Sequence, residues 1–251
     1  MKLVKVRFEG EEFYASVGSD GVFAVAGDIF GEFTVTDKKI DEKSAVILPP
    51  VNPTKIVAVG LNYRDHAEEF GEEIPDEPKI FMKPSTAVIG HKDYIVLPKQ
   101  SKKVDYEAEL AIVIKKEAHN VEPSHAEDYI LGYTCLNDVT ARDLQRKDGQ
   151  WIRGKGFDTF APIGPVIANE IDADNLDIKL LLNNEVKQHS NTKNFIFKTK
   201  ELVSFISKIM TLLPGDVITT GTPSGVGQIK PGDEVKIVIE NVGELISYVK
   251  E

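Results

Sequence analysis

The stretch Val104-Asp-Tyr-Glu-Ala-Glu-Leu-Ala-Ile-Val-Ile114 places three carboxylates, Asp105, Glu107 and Glu109, at every second position. The residues between and after them, Val104, Tyr106, Ala108, Leu110, Ile112 and Ile114, are apolar, so the period is two and the segment predicts a β-strand with one greasy face and one acidic one. Side chains two apart on a strand start ~6.6 Å from each other, and two anions at that distance repel by about 2.5 kcal/mol at an effective dielectric near 20. Solvent or a cation must offset that repulsion. A half-exposed strand with a wet acidic face satisfies the pattern. So does a divalent cation, and hard oxygen ligands on a rigid strand suit Mg²⁺, Mn²⁺ or Ca²⁺ better than zinc.

The rest of the chain narrows the setting. With 251 residues it is long enough for one large domain or a large one with a small appendage. No apolar run reaches the length of a membrane span, and the start, Met1-Lys-Leu-Val-Lys-Val-Arg-Phe8, alternates like a strand rather than reading as a signal peptide. A cytoplasmic protein with no membrane partner is expected. The formal charge of −10 argues against bulk attraction to nucleic acid, which leaves small molecules as the expected partners. Cys135 is the only cysteine and sits in an apolar strand-like run, so it is read as a buried structural residue. Lysine outnumbers arginine 25 to 5, and four of the five arginines, Arg64, Arg142, Arg146 and Arg153, fall in or beside candidate site segments. Such clustering points to planar recognition of carboxylates.

Residues 1–53 read as a small β-rich N-terminal domain and linker, with strands over 3–8, 12–17 and 22–26 and then Pro49, Pro50 and Pro53. Residues 54–251 form the main domain. There, strands are predicted over 55–59, 80–83, 94–97, 109–115, 129–136, 178–182, 185–188, 217–220, 234–240 and 245–249, with a hairpin turn at Asn183-Asn184. Short helices are predicted over 62–70 and 140–147, the second with Asp138 near its cap, and a longer amphipathic one carries Leu202, Phe205, Ile206, Ile209 and Met210, capped by Thr199. Strands outnumber helices and do not alternate with them. The class is therefore mostly β (α+β), not a doubly wound or barrel α/β fold.

Several side chains outside the acidic strand have chemistry to offer. Asp138 stands where a strand gives way to a helix, with Arg142 and Gln145 on one face of that helix. It reads either as a cap with an i,i+4 ion pair or, beside the acidic strand, as the third oxygen donor of a metal site. Lys155, between Gly154 and Gly156, is either a surface lysine or a cation placed where an enolate or carboxylate develops charge. Thr219-Thr-Gly-Thr-Pro-Ser-Gly-Val-Gly227 is a Gly-rich loop without the ending of a phosphate loop, better suited to a small carboxylate than to a nucleotide. His66 and Glu69, three apart on the first short helix, can form an imidazole oriented by a carboxylate, or simply a solvated face.

Taken together and in order, Gly60-Leu-Asn-Tyr-Arg-Asp-His66, Phe81-Met-Lys-Pro-Ser-Thr86, Asp105-Tyr-Glu-Ala-Glu-Leu110, Asn137-Asp-Val-Thr-Ala-Arg-Asp143, Gly154-Lys-Gly-Phe-Asp-Thr159 and Thr220-Gly-Thr-Pro-Ser-Gly-Val-Gly227 resemble the fumarylacetoacetate hydrolase family, nearest its acylpyruvase and oxaloacetate decarboxylase-like branch. The resemblance implies a mixed β-sandwich roll, a homodimer, and Mg²⁺ or Mn²⁺ (Ca²⁺ in vitro) held by Glu107, Glu109 and Asp138, with Asp105 outside the metal set. It further implies a small 2-oxo acid substrate contacted by Lys155 and Thr222 in a pocket lined by Arg142 and Gln145, and a water-activating dyad of His66 and Glu69. The activity expected first is hydrolysis of a C–C bond in an acylpyruvate or related 1,3-diketo acid through a pyruvate enolate. Decarboxylation of oxaloacetate and isomerisation of hydroxymuconate or 2-hydroxyhepta-2,4-diene-1,7-dioate use the same site, and a metal-dependent 2-oxo acid binding protein is the non-enzymatic alternative.

Overall fold

The structure is a computed structural model that describes residues 1–71 and 73–251; the side chains of His66, Glu69 and Phe70 lie outside the described part. The chain is mostly β. Its largest sheet runs in the order Phe33–Ile40, Gly21–Gly27, Glu11–Gly18, Lys2–Phe8, Ala161–Ala168, Ile130–Asn137, Ala108–Ile114, Val217–Thr219, Lys55–Gly60 and Lys79–Pro84, with two short strands alongside. A second sheet runs Glu185–Asn191, Asp177–Leu182, Glu234–Ile239, Gly243–Lys250 and Tyr94–Val96, and a third, small one runs Thr140–Ala141, Val104–Tyr106 and Gly227–Gln228.

The acidic strand is the hinge between these sheets. Val104–Tyr106 belongs to the small sheet and Ala108–Ile114 to the large one, so the chain changes sheets at Glu107. All eleven residues from Val104 to Ile114 are buried. Leu110, Ile112 and Ile114 pack into the core shared with Ile178, Leu180 and Ile237 of the second sheet, while Ala111 and Val113 pack on the opposite face with Leu3, Leu136 and Ile163. Each of the larger of these side chains, the leucines, the isoleucines and the valine, contributes roughly 1.5–3 kcal/mol by its burial. A wet acidic face is thereby ruled out: the acids face protein, and their charges must be answered from within it.

Sequence expectations and structure part in three places. Ala161–Ala168 is a full strand linking Lys2–Phe8 to Ile130–Asn137, although Pro162 and Pro165 argue locally against one. Through it the N-terminal strands continue the main sheet rather than standing apart. Asp138 does not cap the following helix, which begins at Arg142 after Ala141 without a side-chain cap. Thr199 is not a cap either: it is the first residue of Thr199–Ile209, and the Glu201 carboxylate accepts the Lys198 N–H at 2.7 Å. The Asn183-Asn184 hairpin is present, with both residues at positive φ, 52° and 67°, as a type I′ turn requires. Cys135 is buried in Ile130–Asn137, and burial pushes its thiol up to about 12.

One buried carboxylate fastens the edge of the site-bearing strands. Asp216 accepts hydrogen bonds from the Thr54 N–H at 3.0 Å, the Thr54 hydroxyl at 2.7 Å, the Lys55 N–H at 3.2 Å, the Leu213 N–H at 2.8 Å and the Lys55 ammonium at 2.5 Å. Burial alone would raise its pKa, but Lys55 and these donors outweigh burial and hold it below the ordinary aspartate value. Its contribution is therefore present above the unfolded aspartate pKa and lost as pH falls through the lower folded value. Asp216→Ala is expected to cost about 3 kcal/mol in urea unfolding at neutral pH, with the difference from wild type shrinking toward acid.

Candidate active site

The candidate site is a cavity of about 420 Å³ whose walls include Asp105, Glu107, Glu109, Asp138, Arg142, Gln145, Lys155 and Thr222. Glu107, Glu109 and Asp138 are all buried and each offers an oxygen lying within 4.8 Å of the others. The turn of chain that makes this possible is held by backbone and amide bonds. The Asn137 side-chain oxygen accepts the Glu107 N–H and the Glu107 carbonyl accepts the Asp138 N–H, both at 2.9 Å. Glu109, one residue inside the large sheet, accepts the Gly221 N–H at 2.8 Å from the Gly-rich loop. Gly221 has φ +90°, and a Cβ there would stand 2.9 Å from the Asn62 Cβ, so only glycine lets this amide reach the acid.

Cations answer the acids unevenly. The Lys155 ammonium donates to Glu107 at 2.7 Å and to Asp138 at 2.5 Å. The Arg142 guanidinium donates to Asp105 at 3.0 Å, to the Gln145 side-chain oxygen at 2.7 Å and, closely, to Glu107. Lys83, fully buried, donates to Asp138 at 2.7 Å and to the carbonyls of Val139 at 3.1 Å and Lys155 at 2.6 Å. Four carboxyl groups thus face three cations, and among the described residues Glu109 has no ion pair.

The titration behaviour follows from that imbalance. Burial works to raise the Glu107 carboxyl, but the charges of Lys155 and Arg142 override it and hold the group at about 2. Burial raises Glu109, the charges of Asp138 and Glu107 push it further, and the opposing pull of Lys155 and Thr219 is too weak to keep it from standing well above the ordinary range. Burial disfavours the Lys155 ammonium, yet Asp138 and Glu107 more than compensate and keep it charged. A trio of buried oxygens one positive charge short of neutrality fits a hard divalent cation, with Glu107, Glu109 and Asp138 as the residues that would hold it.

Of the residues singled out in the sequence, Glu107, Glu109, Asp138, Arg142, Gln145, Lys155 and Thr222 meet at this cavity. Asp105 joins them through Arg142 and not as a member of the trio. Arg142 and Gln145 share a helix face as their spacing requires, but the Arg142 partners are Asp105 and Glu107 rather than Asp138. Arg146 lines the cavity, whereas Arg153 pairs with Asp148 at the surface and Arg64 is exposed at a helix start. The helix Arg64–Phe70 carries His66 and Glu69, whose side chains lie outside the described part. Lys83 went without a role in the sequence, although it lies inside the Phe81-Met-Lys-Pro segment. Its signal is parity: it shares the strand face of Lys79 and Phe81, both cavity-lining. Gln188, which braces the Gly-rich loop from behind the wall, leaves no signal of its own in the sequence.

This fold and this acid-lined cavity are those of one class of enzymes. The fumarylacetoacetate (FAA) hydrolase C-terminal family matches residues 55–250, and the chain belongs to the fumarylacetoacetate hydrolase family as one of its enzymes. A 5-carboxymethyl-2-hydroxymuconate delta-isomerase from Mycobacterium smegmatis superposes with a TM-score of 0.93 at 40% identity, covering 100% of this chain and 99% of that one. A fumarylpyruvate hydrolase from Pseudomonas aeruginosa in complex with Mn²⁺ and pyruvate superposes with a TM-score of 0.74 at 35% identity, covering 80% and 91%. The mitochondrial oxaloacetate tautomerase of Rattus norvegicus is 42% identical over 81% of this chain and 68% of its own length.

Two outcomes are expected for metal titrations. Because the proton on Glu109 must leave before the oxygen can bind a cation, Mg²⁺ or Mn²⁺ should release protons on binding and bind more weakly as pH falls. Calorimetry in buffers of different ionisation enthalpy reads this directly. Because the Lys155 ammonium contests Glu107 and Asp138 with any cation, Lys155→Met should bind Mn²⁺ at least as tightly as wild type; much weaker binding would contradict the assignment.

Proposed function

We propose that this chain is a divalent-metal-dependent enzyme that forms and reprotonates the enolate of a short 2-oxo dicarboxylic acid of the oxaloacetate type, interconverting its keto and enol forms. The observation that carries the reading is the buried trio of Glu107, Glu109 and Asp138 with the Lys155 ammonium at its edge. Glu107, Glu109 and Asp138 would hold a Mg²⁺ or Mn²⁺ ion, which would supply Lewis-acid chemistry at the keto group.

The chain's own residues supply the rest. Lys155, buried beside the Phe81 ring with its ammonium 4.9 Å from the ring centroid, places positive charge where the enolate oxygen develops. Thr222 offers a hydroxyl to the substrate carboxylate, and Gln145 offers the amide end that Arg142 leaves free. Phe81 and Trp151, in edge contact with centroids 5.1 Å apart, form an apolar wall that limits water. At the mouth stand Lys79, Lys103 and Arg146, none with an ion pair among the described residues. Cations without acidic partners, in a chain with ten more acids than bases, favour a substrate with a second carboxylate. The rat relative's name as an oxaloacetate tautomerase supports the same substrate class.

A second reading, hydrolysis of a C–C bond in an acylpyruvate, is favoured by the helix Arg64–Phe70. It starts three residues beyond the cavity-lining Leu61 and carries His66 and Glu69, and one structural relative is named a fumarylpyruvate hydrolase. The two separate on one residue. With Mg²⁺ present the protein should accelerate the decay of enol-oxaloacetate, and His66→Ala should retain that rate while losing any acetylpyruvate hydrolysis. No acceleration with Mg²⁺ or Mn²⁺, or full activity in Glu109→Gln, would refute the enolate assignment.

A further inference from the structure

Gln188 lies on the strand Glu185–Asn191, behind the cavity wall, and is buried to 1% of its surface. Its side-chain amide makes three hydrogen bonds. The oxygen accepts the Ala108 N–H at 3.0 Å, and the nitrogen donates to the Thr222 hydroxyl oxygen at 2.9 Å and to the Pro223 carbonyl at 2.8 Å. The amide has only one sensible orientation, since a backbone N–H can only donate and a carbonyl can only accept.

That orientation dictates what Thr222 can do. Its oxygen is already an acceptor for Gln188, so its own proton must go elsewhere, and among the described residues nothing accepts it. Thr222 lines the cavity. We propose that Gln188 is a positioning residue that forces Thr222 to act as a hydrogen-bond donor into the pocket, and so selects ligands presenting an anionic acceptor there. Ala108 sits between Glu107 and Glu109, so the same amide also sets the distance from this donor to the acid trio. An acceptor presented there meets the Thr222 proton, whereas a donor would set proton against proton, and buried sites discriminate strongly between the two.

The inference rests on the reading that a 2-oxo acid places its carboxylate at Thr222, and the test separates the two. Oxalate and oxamate, which replaces one carboxylate by a donor-bearing amide, are titrated calorimetrically into the Mg²⁺-loaded full chain. Thr222→Val should weaken oxalate about tenfold to a hundredfold. Gln188→Glu keeps an acceptor for Ala108 but takes the Thr222 proton for itself, so oxalate should weaken by a similar factor while oxamate weakens far less. The ratio of the two affinities should therefore shift about tenfold toward oxamate. Gln188→Met introduces no buried charge and serves if the glutamate variant does not fold; its ratio should move the same way by a few-fold. Equal weakening of both ligands, or oxalate binding unchanged in the Gln188 variants while Thr222→Val loses it, overturns the inference and leaves the carboxylate reading standing. Unchanged oxalate binding in Thr222→Val overturns both.

Discussion

Four buried carboxyl groups opposed by three cations are the constraint from which the rest of this structure follows. Leaving even one buried charge unanswered costs several kcal/mol, a large part of the net stability of a domain. The chain meets the demand by bringing distant elements to one place. Lys83 arrives from the strand Lys79–Pro84, Lys155 from the short helix Ile152–Lys155, and Arg142 from the helix that follows Asp138. The carboxyl left without a cation is Glu109, which holds its proton instead, and a divalent ion that displaces that proton completes the charge balance there.

Neutral groups then determine the geometry. The sheet change at Glu107 would leave its peptide N–H without a ladder partner, and the Asn137 side chain takes that bond. The Gly-rich loop is held against Asn62, whose amide donates to the Thr220 carbonyl at 2.8 Å and to the Phe197 carbonyl at 3.0 Å, and accepts the Phe197 N–H at 2.8 Å. One buried asparagine therefore ties the base of the helix bearing His66 to the loop bearing Thr222.

The strands of the main domain were legible because alternation is a local signal, and so was the relation of Arg142 to Gln145, which needs only helical spacing. The strand Ala161–Ala168 was not, because two prolines mask a pairing that only distant partners determine. Asp138 read equally well as a cap, since a residue before a helix is a natural cap; long-range lysines, invisible in its own segment, claim it instead. The three acids looked equivalent by alternation. Their separation depends on the change of sheet at Glu107 and on Arg142, which takes Asp105 and shares Glu107. Lys83 and Gln188 were missed for a single reason: each acts through partners more than thirty residues away in the chain. No window of neighbouring residues contains them.

The central claim is that the buried trio is a metal centre. Anomalous scattering from crystals of the full chain grown with Mn²⁺ addresses it most directly. One manganese peak coordinated by oxygens of Glu107, Glu109 and Asp138 is expected, absent in crystals of Glu109→Gln. A manganese site elsewhere in the molecule, or no peak in the wild-type cavity at saturating Mn²⁺, would contradict it.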